Sequence, residues 1–373
     1  MSRESVFEST LEFFLAPLRE FLEDNTVTEI MVNGYQEVYV ERGGKLYETE
    51  ARFESEDALI SAITNIAQYV GREIDRDRPI LDARLPSGSR VHAVIPPSSR
   101  TGTYLTIRKF NRDIFSLEDF VRLGSISAEA KEFLELCVRM KKNIVVAGGT
   151  GTGKTTMLNA VSTAVPENER IVVIEDSSEL KLAQKHSLYL EAQQADSYGR
   201  GGVTIRDLFR ASLRMRPDRI IVGEVRGGEA LDMVQSMISG HTGSLTTVHA
   251  TSPRDALVRL ETLSLMSDVD IPIYVARAQV ASAINIIVQL SRFADDGSRR
   301  VTRVAEAFGL GPNNEYQFHD IFASRMRGRS ESGELISELE FTGQQPTFAS
   351  EPYEQGLEGD ISHTLPVWQN PEA

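Results

Sequence analysis

The chain has 373 residues, enough for two domains with separate cores. Its 41% hydrophobic and 25% charged residues are those of a globular protein and exclude a disordered or fibrous one. A formal charge of -14 argues against a protein that wraps nucleic acid, since neutralising phosphates needs an excess of Lys and Arg, and no stable nucleic-acid partner is expected.

The single cysteine, Cys137, allows no intrachain disulfide and points to a reducing compartment. Within the apolar stretch Phe133 to Val138 it reads as a small buried hydrophobe. No apolar run is long enough to span a bilayer, and Glu4, Glu8 and Glu12 interrupt the first apolar stretch. The expectation is a cytoplasmic protein that meets a membrane only through partners.

Residues 5–23 place Phe7, Leu11, Phe14, Leu15 and Leu18 at helical spacing, with Pro17 breaking or kinking the helix near Ala16. From Thr28 the pattern changes to short strands: Glu29 to Val32, an Asn33-Gly34 turn, Val38 to Glu41, a Gly43-Gly44 turn, then Lys45 to Tyr47. Leu59, Ile63, Ile66 and Val70 mark one face of a helix starting after Ser55. Val91, Ala93 and Ile95 alternate like a half-buried strand, and Tyr104 to Lys109 closes a compact α+β domain. Asn111 to Phe115 reads as a linker. Ser116-Leu117-Glu118-Asp119 then looks like the cap of a new helix.

Beyond Ser127 helices alternate with the apolar runs Ile144–Ala147, Ile171–Glu175, Leu188–Leu190, Ile220–Val222, Leu245–Val248, Ile284–Leu290 and Val301–Phe308. That is the signature of a mostly parallel sheet with helices on its faces. Ligands of such sheets bind beyond the carboxyl ends of the strands. The first run ends in Gly148-Gly149-Thr150-Gly151-Thr152-Gly153-Lys154-Thr155, which fills the phosphate-loop pattern G-x-x-x-x-G-K-[ST] at every fixed position, and Thr156 continues into a helix. Its glycines let backbone N–H groups converge on one anion, and the helix adds its positive end. Lys154 is placed to reach the β- and γ-phosphates of ATP or GTP, and the Thr155 hydroxyl to ligate Mg²⁺.

Three further strand ends carry polar residues. Glu175 and Asp176 close the run Ile171 to Ile174, where a carboxylate holds Mg²⁺, orients water or caps the next helix. Glu224 follows Ile220-Ile221-Val222-Gly223 in the manner of a Walker B acid and is the choice for activating the attacking water, although Arg226 could instead pair with it. His241 and His249 bracket the run Leu245–Val248 and suit a γ-phosphate sensor or a hydrogen-bonded structural role. Neither has companions at metal-ligand spacing.

Taken together, Gly148 to Thr155, Ile174 to Leu180, Arg214 to Ala230 and Gly240 to Ala250 resemble the Walker A, Asp, Walker B and His boxes of type II/type IV secretion ATPases. The stretches Thr28 to Gly34, Val38 to Arg42, Asp82 to Pro86 with Gly88 to Val91, and Thr106 to Phe110 resemble the CpaF/TadA branch, which powers tight-adherence (Flp-type) pili. The resemblance implies an N-terminal α+β domain over 1–110, a linker over 111–115 and a RecA-like P-loop ATPase domain with a mostly parallel sheet over 116–350. Residues 351–373, at the end of a region without Lys or Arg, are expected to form an acidic, disordered tail.

It also implies ATP and Mg²⁺ as cofactors, a homo-hexamer, and an inner-membrane platform protein as partner, with hydrolysis driving pilin extraction. On the family pattern Gly148 to Thr156 bind nucleotide, Thr155 and Glu175 hold the metal, Glu224 is the base, and His241 and His249 lie near the nucleotide with Lys154. Arginine fingers are expected among Arg84, Arg90, Arg108, Arg214 and Arg216. Related motors for conjugation, effector secretion or pilus retraction, and a scaffold with little turnover, are the alternatives.

Overall fold

A computed structural model describes residues 10–11, 13–109, 115–193, 195, 199–293, 297–329 and 335–371. The chain divides into two units, Met1–Asp113 and Ile114–Ala373. Of the linker expected over 111–115, only Phe115 falls among the described residues.

In the first unit Pro17 occupies a 3-10 turn, Ala16–Leu18, followed by the short helix α1 (Arg19–Glu23). Six strands, β1 (Val27–Asn33), β2 (Val38–Arg42), β3 (Lys45–Glu48), β4 (Ile80–Arg84), β5 (Arg90–Val94) and β6 (Tyr104–Arg108), form a sheet in the order β3-β2-β1-β6-β5-β4. All its neighbours are antiparallel. Helix α2 (Glu56–Tyr69) starts where Ser55 accepts the Ala58 N–H at 3.2 Å. It buries Leu59, Ile63 and Ile66 in one core with Ile30, Val32, Val91, Leu105 and Ile107. The alternation that buries Val91 and Ile107 turns Arg90 and Arg108 to the opposite face. There Arg84 stands opposite Arg90, Arg90 opposite Arg108, and Arg108 opposite Glu29.

The second unit opens with a capping box. Ser116 Oγ accepts the Asp119 N–H, and Asp119 takes the Ser116 N–H in return at 2.8 Å, starting α3 (Leu117–Arg122). Helix α4 (Ala128–Arg139) follows, and on it Cys137 is fully buried, which pushes its thiol well above the ordinary value. Strands β7 (Ile144–Gly148), β8 (Ile171–Glu175), β9 (Ser187–Glu191), β10 (Arg219–Val222), β11 (Leu245–His249) and β12 (Ile286–Arg292) are mutually parallel in the order β12-β7-β11-β10-β8-β9. Helices α5 (Lys154–Ser162), α6 (Ile205–Ser212), α7 (Glu229–Ile238), α8 (Pro253–Leu265) and α9 (Ile273–Ala283) cover them. Helices α4 and α5 share a core on one face, and α7 to α9 share another core on the opposite face. The chain then adds β13 (Arg299–Leu310), β14 (Tyr316–Arg329) and β15 (Leu335–Phe341), antiparallel, beside β12. The last two fall outside the apolar runs read from sequence; β14, for one, ends in the exposed stretch Arg325 to Arg329.

The expected disordered tail is instead a packed strap. A short helix, α10 (Glu351–Glu354), and two 3-10 turns lead to Val367 and Trp368, which are buried with Phe348 in the α4 core. The Trp368 ring stacks on Phe133 at 5.3 Å between centroids. The buried Glu132 carboxylate accepts the backbone N–H groups of Ser362, His363 and Thr364 at 2.9, 2.9 and 3.0 Å. Burial alone would raise this carboxyl, but the hydroxyls of Ser362 and Thr364 and the N–H donors of His363 and Ser362 outweigh it and hold it at about 2. Composition predicts disorder because it averages over the tail, whereas a few apolar residues and one acid on another helix anchor it.

Trp368→Ala should cost about 3–5 kcal/mol of stability in urea unfolding through the cavity left against Phe133. Because the Glu132 value is depressed from 4.5, its contribution is full above that pH and fades as pH falls towards about 2. Glu132→Gln should therefore flatten the acid arm of the stability profile, and an unchanged arm would count against this anchoring.

Candidate active site

Strand β7 delivers Gly148 to the carboxyl edge of the parallel sheet, and the loop 149–153 returns into α5 at Lys154. Gly153 lies at φ 92°, in the left-handed region that a side chain rarely tolerates. This bend lets Lys154 fold back over the loop, where its Nζ donates to the Gly149 carbonyl at 3.0 Å. Thr152 Oγ1 donates to the same oxygen at 2.9 Å. Thr155 and Thr156 follow on the first turn of α5.

Register brings the other groups to this loop. His249 ends β11 level with Gly148, and its Nε2 lies 3.2 Å from Lys154 Nζ. The same nitrogen is 3.2 Å from Glu224 Oε1, just beyond the end of β10. Burial and then the Lys154 ammonium push the His249 pKa below its ordinary value, with Glu224 opposing, so the imidazole is neutral near pH 7. Without a proton on Nε2 the ring accepts from Lys154, and the same nitrogen faces Glu224 Oε1 without a well-aligned hydrogen bond. One ring thus couples the phosphate-binding cation to the candidate base.

The two oxygens of Glu224 have different surroundings. Oε2 takes the Arg226 guanidinium, with Nε at 2.7 Å, and Arg226 reaches on to Asp176 at 3.4 Å. Oε1 is buried, faces His249 and makes no well-aligned hydrogen bond. The ion pair with Arg226 therefore fixes the carboxylate while Oε1 carries no committed hydrogen bond.

Glu175 ends β8 only 4% exposed, and its Oε1 accepts the N–H groups of Glu179 and Leu180 at 2.8 and 2.9 Å. A side chain on Gly223 would meet the Glu175 Cγ at 2.9 Å, so glycine at that position lets β10 pass the acid. Burial pushes the Glu175 carboxyl up to about 7 against those two donors. With Oε1 committed to backbone, Glu175 has one oxygen left for a metal ion or its bound water. Among the described residues no group of three or more His, Cys, Asp or Glu side chains could hold a metal ion. The donor set fits an ion that arrives on the nucleotide's phosphates and needs only the Thr155 hydroxyl.

Not every expected residue joins this site. His241 precedes β11, at the opposite edge of the sheet, where Leu245 pairs with Ile144 at the start of β7. The length of β11, about 13 Å at ~3.3 Å per residue, separates it from the loop. Its Nδ1 is buried without a hydrogen-bond partner. Arg214 and Arg216 precede β10 and so lie at that same far edge. Arg84, Arg90 and Arg108 belong to the N-terminal unit, on the strand face described above. Sequence reading overlooked Arg292 and Arg299, which pair across β12 and β13 beside the loop. The available signal was their position, Arg292 just beyond the carboxyl end of one apolar run and Arg299 just before the next.

A phosphate loop at the end of a central parallel strand, with acid and histidine on the next strands, defines a P-loop NTP hydrolase. The family model described as Type II/IV secretion system protein matches residues 14–337, and the chain belongs to that family. PtlH, a type IV secretion system protein of Bordetella pertussis (strain Tohama I), is 38% identical over 320 residues, 79% of this chain and 94% of PtlH. The type IV secretion system protein VirB11 of Brucella suis biovar 1 is 32% identical over 319 residues, 78% of this chain and 88% of VirB11. The solved structure of the pilus retraction motor PilT with bound ADP has a TM-score of 0.54 at 19% identity, covering 82% of this chain and 84% of that one, a likeness of fold. The chain is an ATPase with a RecA-like domain. These relatives establish the superfamily and not specifically the CpaF/TadA branch suggested by the N-terminal stretches. No described helix is long and apolar enough to cross a membrane.

Since the Glu175 value is raised from 4.5 to about 7, its ionisation opposes folding increasingly as pH rises through that window. Glu175→Gln keeps an acceptor for both N–H groups and removes the charge. Its melting temperature relative to the native chain should climb from about pH 5 to about pH 8, by roughly 2–4 °C for each kcal/mol relieved. A difference that stays flat with pH would show that the buried carboxyl does not titrate there.

Proposed function

We propose that this ATPase is the motor of a pilus-assembly machine, a homo-hexamer at the inner face of the bacterial inner membrane beneath a platform protein, converting hydrolysis into pilin extraction. The observation that carries the chemical part is the contact series Lys154, His249, Glu224 across three strand ends. Lys154 and the loop N–H groups bind the β- and γ-phosphates. Glu224 Oε1 takes the proton of the attacking water, while Arg226 holds Oε2 still. His249 lies between base and phosphate and exchanges partners as the γ-phosphate leaves. The Thr155 hydroxyl would hold Mg²⁺, which would neutralise charge on the phosphates.

Developing transition-state charge calls for a further cation. The row Arg84, Arg90 and Arg108 concentrates positive charge on one strand face, which supports a finger from this row. Substituting the acting arginine with Gln should lower kcat by about 10³-fold, within the usual span for a finger.

The stretches Thr28 to Gly34 and Asp82 to Pro86 support the pilus branch. Secretion of effectors or conjugation is the second reading, favoured by the likeness to PtlH and VirB11, which are named type IV secretion proteins. Deleting the gene in its own cell should remove surface pili and leave protein secretion intact. The opposite result would move the chain to the second reading.

In vitro, Lys154→Ala should lose nucleotide binding. Glu224→Gln should retain ATP and lose turnover by about 10²-fold or more, as removal of a general base does. Phosphate release with Mg²⁺-ATP, with the oligomer sized by light scattering, measures both. Normal turnover in Glu224→Gln would remove Glu224 from the role of base, and negligible turnover in the native hexamer would favour a scaffold.

A further inference from the structure

The edge of the phosphate loop away from His249 is walled by the antiparallel pair that follows the parallel sheet. β12 runs parallel to β7 with Leu290 level with Gly148, and β13 returns antiparallel beside it. Leu290 and Val301 face the core shared with α5. Alternation with period two then carries Arg292 and Arg299, each two residues from those positions, onto the same face and past the sheet edge. They are directly opposite one another across the ladder.

Both arginines border the loop itself. A Cβ built on Gly151 would lie 3.5 Å from Arg292 Nη1, and one built on Gly153 would lie 3.8 Å from Arg299 Cδ. The Phe293 N–H donates to Ser298 O at 2.9 Å, and Ser125 Oγ donates to Arg299 O at 3.0 Å, so backbone bonds hold this end of the hairpin in place. The loop they border is built to hold an anion.

From this geometry we infer that Arg292 and Arg299 are nucleotide-binding residues of the same chain, contacting phosphate oxygens of ATP and ADP from the β12–β13 side. Lys154 and His249 flank the loop towards β11, and the arginine pair closes it on the other side. Their role differs from that of a finger. They stand beside the loop before and after hydrolysis alike, so they bind substrate and product in common and act on affinity more than on turnover. The inference rests on the ATPase activity and not on which machine that activity drives.

The test is titration of the full chain with fluorescent ATP and ADP analogues, with steady-state ATP hydrolysis alongside. Arg292→Gln and Arg299→Gln should each weaken both nucleotides by roughly tenfold or more, the size of a lost charge-assisted contact. KM should rise in parallel while kcat stays within about threefold. Unchanged dissociation constants in both variants would overturn the inference, as would a fall in kcat at constant KM. Melting without nucleotide reports whether each variant folds. Where a Gln variant does not, Arg→Lys at the same position is titrated instead. Weaker binding is then expected because lysine lacks the bidentate fork, and full affinity would overturn the inference.

Discussion

Gly148 stands level with His249 on one neighbouring strand and with Leu290 on the other, and the contacts around the loop depend on that register. Parallel strands of this sheet are buried on both faces, so their register is set by core packing and not by solvent exposure. A slip of one residue between β7 and β11 would turn His249 to the opposite face and break its contact with Lys154. A slip between β7 and β12 would carry the arginine pair away from the loop. The chemistry is thus specified by apolar residues that take no part in it, among them Val146, Val248 and Val288.

Around the loop a chain of contacts runs from the Lys154 cation through the neutral His249 ring to Glu224, Arg226 and Asp176, whose charges alternate in sign. The Arg226 guanidinium holds Glu224 without consuming both oxygens, since it binds Oε2 and leaves Oε1 towards His249. Glu175 has no such cation: burial drives it up to about 7, and it serves the fold through the Glu179 and Leu180 N–H groups. Two acids at adjoining strand ends thus take different roles, one set by a cation and the other by burial.

The phosphate loop, the strand-end acids and the alternating helices and strands were legible because each has a local cause: glycine geometry, apolar runs and caps such as Ser116 with Asp119. Arg226 could be read as a partner of Glu224 because only Val225 separates them. What a linear reading could not supply is strand order. His241 lies four residues before β11 and His249 ends it, and the parallel pairing of β11 with β7 decides that His249 reaches the loop while His241 does not. Strand order likewise sets β12 beside β7, and so brings Arg292, more than a hundred residues along the chain, to the glycines of the loop. Arg84, Arg90 and Arg108 are scattered in sequence and aligned only by antiparallel pairing.

The C-terminal strap shows the same principle applied to stability. Lacking Lys and Arg and rich in Glu, Gly and Pro, it has the composition of a segment that cannot bury enough surface to offset its own ordering. It need not form a core, however, because α4 already presents one. Phe133 offers a ring face for Trp368, and Glu132 offers a buried charge that lacks enough donors on its own helix. The strap's polar backbone supplies those donors, and leaving such a carboxylate buried without them would cost several kcal/mol. The anchoring is therefore reciprocal: the tail is ordered by α4, and the acid on α4 can stay ionised inside the protein because the tail is there.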